Sequence, residues 1–409
     1  MKEGNPKQEF VIRHTPGFRR RRGLNWTALG LMYASYYMCR YNFRYATPGM
    51  VDEFGFSTTN IADIFGVWAL AYGTGQLING LISDQIGGKR CMLIGAVATI
   101  LINLTFGYSS LVSNFATFAL LALLNGYFQA YGAPGMVKIN AAWFHRTERG
   151  TFAGIFGGMI QLGQIAINNL APAIIGGIAI GGYMIGGSNE EWRWVFRIPP
   201  LFTAAAALFM AFAAKQSPDE AGFPGEIEDE IDNSAGVTVS LAQSFKTIFL
   251  HPLVWFYAVA YACTGAVRHS SDQLSILYFE EQLGLDLGNP TMAIYVTMTL
   301  VPIVAFAGSL SSGIISDKFF KGRRAPVAMV LYFFEALVIG ISAVILLAGL
   351  VGPSQMGVFI GCFILIMISL TVNSTHSIVG AAAPMDIGGK KMAGFAAGVI
   401  DSFQYYGAA

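Results

Sequence analysis

Gly80-Leu-Ile-Ser-Asp84-Gln-Ile-Gly87-Gly-Lys89-Arg90 closes one apolar segment, and Gly313-Ile-Ile-Ser-Asp317-Lys-Phe-Phe-Lys-Gly322-Arg323-Arg324 closes another much later in the chain. Each has a glycine before an aliphatic pair, then Ser-Asp, then a glycine with a basic pair. A glycine lets two helices approach, a loop glycine makes a tight turn, and an aspartate with basic residues can clasp neighbouring helix ends. Two copies in corresponding places mark an internal duplication, each copy lying at the end of the second helix of its half. Asp84, Arg90, Asp317 and Arg324 are therefore assigned to gating structure.

Working outward, the composition sets the class. The 409 residues are 54% hydrophobic and 12% charged, with a mean hydropathy of +0.53, whereas soluble domains run near 25% charged. Apolar stretches of about 20 residues, long enough to cross a bilayer, recur along the whole length. The expectation is an all-α polytopic membrane protein with helices at about 24–48, 59–83, 91–109, 114–144, 150–181 and 193–214. Further helices follow at about 252–280, 289–316, 326–350 and 354–382, and from 392 onward. Residues 1–23 read as a basic tail, 24–214 as a six-helix half, 215–250 as a linker and 251–409 as a second half stopping within its fifth helix. The linker is marked by Pro218, Pro224 and the acidic run Glu226–Asp232. A twelfth helix is expected beyond Ala409 in the native protein.

Charge fixes an orientation. Arg19–Arg22, Lys89, Arg90, Arg146, Arg149, Lys215, Lys246, Lys321, Arg323, Arg324, Lys390 and Lys391 share one side, against Arg193 and Arg197 on the other. By the positive-inside rule the N-terminus and linker are cytoplasmic, in a cell (inner) membrane. Trp26, Trp143, Trp192, Trp194 and Trp255 fall near span ends, where an aromatic belt would stand. The first apolar run is too long for a signal peptide, so no cleavage is expected. Cys39, Cys91, Cys263 and Cys362 have no metal-ligand or pairing spacing and read as free thiols in apolar packing. Gly154-x-x-x-Gly158 suits close helix packing. No phosphate loop, nucleotide-binding glycine cluster or catalytic triad occurs. An enzyme, an ATP-driven pump, a cofactor or metal, and a nucleic-acid partner are all disfavoured.

The chemistry lies in the first helix, Tyr33-Ala-Ser-Tyr-Tyr-Met-Cys-Arg40-Tyr-Asn-Phe-Arg44-Tyr-Ala-Thr-Pro48. Helical spacing puts Tyr33, Tyr37, Arg40 and Arg44 on one stripe. An ionised side chain in a bilayer costs about 2.5–3.5 kcal/mol on insertion scales. Arg40 either lines a polar cavity and waits for an anion or pairs with a carboxylate; Arg44 either joins it or snorkels to the surface. The repeat puts Arg268, in the seventh helix, at similar depth on the facing half, about 24 Å in against about 21 Å for Arg40. Two guanidiniums can grip one phosphate from both sides. The alternative is that Asp272, at i+4, neutralises Arg268. Lys138 either lines the pathway or snorkels. Glu335 and His376 are read as functional groups or as hydrogen-bonded packing.

The paired loops resemble the loop signature of the major facilitator superfamily. Within it, Tyr36-Tyr37-x-x-Arg40-x-Asn42-Phe43-x-x-Ala46-x-Pro48 looks like the first helix of the organophosphate:inorganic phosphate antiporters, which include bacterial glycerol-3-phosphate and hexose-6-phosphate exchangers. Gly126-Tyr-Phe-Gln129-x-x-Gly132-x-Pro134 through Lys138, Trp143, Glu148, Arg149 and Gly150 is similar to its fourth helix and following loop. Arg268 with Tyr278 matches its seventh helix, and Lys390-Lys391-x-Ala393-Gly394 through Gly398 its eleventh. The resemblance implies that Arg40 and Arg268 bind phosphate, that Tyr33, Tyr37, Tyr72, Lys138 and Tyr405 line the site or pathway, and that Arg149 serves gating. It implies a monomer in the lipid bilayer, taking a small anionic substrate and inorganic phosphate.

Several positions depart from that pattern. Tyr41 stands where a second basic residue is usual, Gln76 where helix 2 has a basic residue, and Ile160 where the glycerol-phosphate exchangers carry a histidine. Helix 5 offers the neutral face Gln161, Gln164 and Asn168 instead. Arg44, His269, Glu335 and Asp401 are additions. Gln76, Gln161, Gln164 and His269 accordingly join the candidate substrate contacts. The expected function is exchange of an organic phosphate ester for inorganic phosphate. The alternatives are proton-coupled symport through Glu335 or Asp401, and a transporter-like sugar-phosphate receptor.

Overall fold

The computed structural model describes residues 14–110, 112–144, 146–180, 182–187, 191–227, 246, 250–286, 291–320, 324–382 and 398–409. The helices are α1 (Phe18–Phe54), α2 (Thr58–Ile86), α3 (Gly88–Tyr108), α4 (Phe115–Gln129), α5 (Gly132–Trp143), α6 (Arg146–Gly176), α7 (Trp194–Arg197) and α8 (Pro199–Ala213). After the linker come α9 (Pro252–Gln273), α10 (Met292–Phe319), α11 (Arg324–Leu347), α12 (Gln355–His376) and α13 (398–408). The all-α expectation is met apart from one hairpin, β1 (Ile178–Ile180) with β2 (Tyr183–Ile185), paired Ile178↔Ile185 to Ile180↔Tyr183.

Six helices among the described residues are long and apolar enough to cross a membrane: Thr58–Gly80, Gly88–Tyr108, Trp194–Ala213, Met292–Ser316, Ala325–Leu347 and Gln355–Gly380. α1 and α9 are as long as these but carry buried arginines and other polar residues. Their polar stripes turn inward, which is why the helices that build the site read as less apolar. Large side chains cover the outside instead, with Leu347, Phe212 and Phe319 among the most exposed, as expected where lipid replaces water.

Several boundaries differ from the sequence reading, each for a local reason. α1 starts at Phe18 because the basic run is helical, Arg22 stacking on Phe144 (5.0 Å) and Phe18 on Trp143 (5.8 Å). It ends at Phe54, capped by Gly55 at φ +66°, whose N–H donates to Val51 O. The fourth span breaks at Ala130–Tyr131. Pro134 lacks an N–H for the Ala130 carbonyl four residues back and its ring crowds that carbonyl. Pro199 likewise separates α7 from α8. The expected loop Asp84–Arg90 shrinks to Gly87 alone, and the loop around Arg146–Arg149 is the first turn of α6. The fifth span stops at Gly176 and gives way to the hairpin.

Packing follows small residues at specific crossings. A Cβ on Gly163 would run into the Ala34 carbonyl where α6 crosses α1, and one on Gly265 into the Gln404 carbonyl where α9 crosses α13. The sequence pointed instead to Gly154 and Gly158. A Cβ on Gly158 would make only ordinary contact with Phe306, at 3.7 Å, and the side of Gly154 lies outside the described residues. Trp143 and Trp192 are buried, donating to Lys215 O (3.0 Å) and Glu53 Oε2 (2.9 Å), so neither stands in a headgroup belt. Cys39, Cys91 and Cys362 are buried free thiols as expected, whereas Cys263 faces outward.

At the starting face of α1, the carboxyl end of α8 is capped by cations. Lys89 Nζ donates to Ala211 O (2.7 Å) and Ala214 O (2.8 Å), and Arg21 to Ala213 O (2.7 Å), satisfying orphan carbonyls where the helix dipole is negative. The described start of the linker docks there too, with Glu226 accepting from Thr15 N at 2.7 Å and meeting His14 at 3.0 Å. Among the described residues, several bonds between helices before and after the linker lie between Arg40 and the opposite, far face. They include Asn169 Nδ2 to Thr299 Oγ1 (3.0 Å), Asn168 to Met298 O and Thr58 to Glu281 (3.2 Å).

Candidate anion site

Arg40 is 4% exposed and its guanidinium is held in an aromatic box. Its Cζ lies 4.4 Å from the Tyr37 ring, 4.4 Å from Tyr72 and 5.2 Å from Trp68. α1 supplies Tyr37 from the preceding turn, and α2 supplies Trp68 and Tyr72 one turn apart, stacked at 5.2 Å. Tyr405 of α13 closes the box against Tyr72 at 4.3 Å, and Tyr33 packs on Tyr37 at 5.6 Å. Arg40 Nε donates to Gln129 Oε1 (3.1 Å), and Gln129 is fixed in turn by donating to Cys39 O (3.1 Å). Cation–π contact and one bond from Nε orient the guanidinium plane while leaving its terminal nitrogens for a ligand.

Arg268 is equally buried, at 5% exposed. With the Gln404 amide oriented to satisfy its neighbours, Gln404 accepts from Arg268 Nη1 (3.0 Å) and donates to Asp401 Oδ1 (3.2 Å). Asp401 is also hydrogen-bonded by Gln76, and it lies in the electrostatic reach of both Arg268 and Arg40. Tyr37 and His269 are likewise reached by both guanidiniums. α1 and α9 thus bring the two arginines to one cluster, as the repeat predicted. Asp401 sits with them, so the charge of the arginine pair is partly compensated. Asp272 accepts from Tyr41 Oη (3.0 Å) and makes no ion pair with Arg268 among the described residues, although its field reaches that guanidinium.

The buried Nε of Arg268 and both ring nitrogens of His269 have no hydrogen-bond partner among the described residues. His269 packs on Tyr405 (4.9 Å) and Trp68 (6.5 Å), beside the box. A narrow cleft opens at Arg40, lined also by Trp68, Phe65, Asn125 and Gln273. Gln164 is buried on α6, and Gln161 has a buried Oε1 without a partner among the described residues. Lys138 is part-buried on α5. Arg90 is exposed at the start of α3. The side chains of Asp84, Arg149, Asp317 and Arg324 lie outside the described residues.

Arg44 does not snorkel. It is 2% exposed, donates to Asp272 O and Asn168 Oδ1, and stacks on Tyr41 (4.7 Å) and Tyr45 (5.2 Å). It borders a second narrow cleft with Ser271, Ser275 and Ser369. Glu335 is held by Thr375 Oγ1 at 2.7 Å, and His376 by Tyr261 Oη at 2.6 Å. Sequence reasoning missed Trp68, Gln129 and Gln404 as parts of the site. Trp68 was discoverable, since it precedes Tyr72 and Gln76 at helical spacing on one stripe of α2.

The chain is similar to known proteins in both sequence and structure. The profile of the Major Facilitator Superfamily matches residues 29–409. The Escherichia coli K12 membrane sensor protein UhpC is 27% identical over 386 residues, covering 92% of this chain and 81% of that protein. The Bacillus subtilis glycerol-3-phosphate transporter is 26% identical over 383 residues, at 92% and 81% coverage. The probable hexose phosphate transport protein of Chlamydia trachomatis is 25% identical over 396 residues, at 93% and 81%. Among solved structures, a bacterial homologue of the human lysosomal transporter Spinster, inward-facing and unoccupied, aligns with a TM-score of 0.74 at 14% identity, covering 96% of this chain and 81% of that one.

Proposed function

Since the chain belongs to the Major Facilitator Superfamily, whose matched relatives include membrane transporters and a sensor and no enzyme, we propose that it exchanges an organic phosphate ester for inorganic phosphate by alternating access. The ester is of the sugar-phosphate or glycerol-phosphate type, in keeping with the names of its relatives. One observation carries the reading. Arg268 Nε and both His269 ring nitrogens are buried without partners among the described residues, in a cluster that holds a second buried arginine. Buried polar atoms are almost always satisfied, and an anion would satisfy Arg268 Nε together with the one N–H of a neutral His269 ring. Phosphate offers tetrahedral acceptors that two guanidiniums can meet with paired bonds.

In this reading, Arg40 stands on an N-terminal half (24–214) and Arg268 on a C-terminal half (251–409), joined by the linker (215–250). Closing the empty halves brings like charges together, offset in part by Asp401. A phosphate anion removes the remaining penalty, so reorientation is fast when loaded, which is the logic of exchange. The carrier lies in the cell (inner) membrane as a monomer, with its N-terminus and linker cytoplasmic. The test is counterflow of radiolabelled phosphate in liposomes, with and without a pH gradient. Exchange driven by internal phosphate or ester is expected, and no exchange from a protein that binds phosphate would overturn it. That outcome would favour the second reading, a sugar-phosphate receptor, which the likeness to a membrane sensor supports.

Ester choice should rest on neutral contacts, because Gln76 and Ile160 replace charged groups. Gln161→Ala or Gln164→Ala is expected to reorder competing esters by about tenfold, or 1.4 kcal/mol. Competition assays against labelled phosphate measure it. An unchanged ranking in both variants removes α6 from the site.

A further inference from the structure

Arg268 is anchored through the side-chain amide of Gln404, a group that could stand either way round. Its oxygen accepts from Arg268 Nη1 (3.0 Å) and from His376 Nδ1 (3.1 Å), and its nitrogen donates to Asp401 Oδ1 (3.2 Å). Turned over, the amide would set donor against donor at the guanidinium and acceptor against acceptor at the carboxylate. Hydrogen bonds to charged groups are the stronger ones, so these two neighbours fix the amide. Gln404 is 1% exposed and has no water to turn to.

That orientation reaches His376. A neutral imidazole has one N–H and one bare nitrogen. Facing a carbonyl oxygen, Nδ1 must carry the hydrogen. Tyr261 Oη lies on the same nitrogen at 2.6 Å, with its ring stacked on the imidazole at 5.5 Å, and is the second acceptor. Tyr261 is fully buried, and a Cβ on Gly380 would run into its hydroxyl. The imidazole is thus held by Tyr261 of α9 and Gln404 of α13 where α12 passes into the π-helical turn Ser377–Ala382. The field of Arg268 reaches it there.

Resting on the exchange reading above, we propose that His376 is a positioning residue of the anion site. Its Nδ1–H holds the Gln404 carbonyl, and that carbonyl aims the Arg268 guanidinium, leaving Nε for a phosphoryl oxygen. A guanidinium presents its five N–H groups in a fixed plane, so anchoring one edge sets where the others point. Arg40 has an anchor of the same kind in Gln129 Oε1 (3.1 Å), itself tied to Cys39 O (3.1 Å). Each arginine of the pair is aimed by a buried glutamine, and each glutamine is held by a further partner.

The test titrates the full chain, purified in detergent, with inorganic phosphate by calorimetry. His376→Leu fills space without a donor and is expected to weaken binding about tenfold, the size of one neutral hydrogen bond. His376→Asn puts an N–H close to the place of Nδ1 and should bind within about threefold of the parent. His376→Gln puts its N–H nearer the place of Nε2 and should be as weak as His376→Leu. A residue that only filled space would not favour the smallest of the three replacements. Gln404→Leu should also weaken binding about tenfold, and adding His376→Leu to it should have no further effect. Parent-like binding by His376→Leu, His376→Asn as weak as His376→Gln, or a double variant weaker by the product of the two overturns the positioning role and leaves exchange standing. If the parent binds no phosphate, the exchange reading falls and this one with it. Should either leucine substitution prevent folding, the contrast between His376→Asn and His376→Gln decides.

Discussion

Phosphate binding is expected to weaken by about ten- to a hundredfold in Arg40→Lys and again in Arg268→Lys, with folding and membrane insertion intact. Lysine keeps the charge but loses the planar, two-pronged donor that matches phosphate oxygens. A charge-assisted hydrogen bond contributes about 1.5–3 kcal/mol, which sets the size of the loss. For Arg40 the geometry adds a second reason. Its guanidinium carbon lies 4.4 Å from the ring centres of both Tyr37 and Tyr72, with Nε on Gln129. An ammonium would lose the stacking and the orienting bond together. Both arginines grip one anion, so the double variant should bind scarcely worse than either single one. Calorimetric titration with inorganic phosphate measures all three. Parent-like binding by Arg268→Lys would remove Arg268 from the clamp.

The two arginines were legible in the sequence because an ionisable residue in an apolar helix stands out against its surroundings, and the repeat placed the second at the depth of the first. Their neutral partners were not. Gln129 and Gln404 fall in motifs or span ends without any charge signal, and only the packing of α4 and α13 on α1 and α9 brings them to the guanidiniums. Arg44 was misjudged for a traceable reason. A helix ending near Pro48 puts it about one turn from the surface, whereas α1 continues to Phe54, adding about 9 Å of rise at 1.5 Å per residue. Snorkelling is then out of reach. Proline inside a helix does not by itself end it, and α1 runs on through Pro48. The hairpin was missed in the opposite way. Gly181-Gly182 between short apolar runs is a strong two-residue hairpin signal, but the apolar count carried the helix through to 181.

Arg44 is expected to govern the far-side closure rather than the anion. It donates from α1 to the Asp272 carbonyl on α9 and to Asn168 on α6, and Asn168 in turn donates to Met298 O on α10. One guanidinium therefore ties helices from both sides of the linker, one turn beyond Arg40. Removing it in Arg44→Ala deletes two charge-assisted bonds and leaves their acceptors buried. A loss of about 1.5–3 kcal/mol per bond is large for an equilibrium between two carrier states. Far-side opening should rise by about ten- to a hundredfold. A cysteine placed at Ser369, which lines the Arg44 cleft, reads this out through its rate of labelling by an impermeant maleimide added on the far side. Phosphate affinity should stay within about threefold of the parent, because the Arg40 box and Arg268 are untouched. Arg44→Lys, retaining one donor, should fall between the two in labelling and also bind phosphate nearly normally. Unchanged labelling in Arg44→Ala, together with lost phosphate binding, would move Arg44 out of the closure and into the clamp. The far-side contacts would then have to rest on the bonds of Asn168 and Asn169 with those of Thr58 to Glu281 and Tyr41 to Asp272.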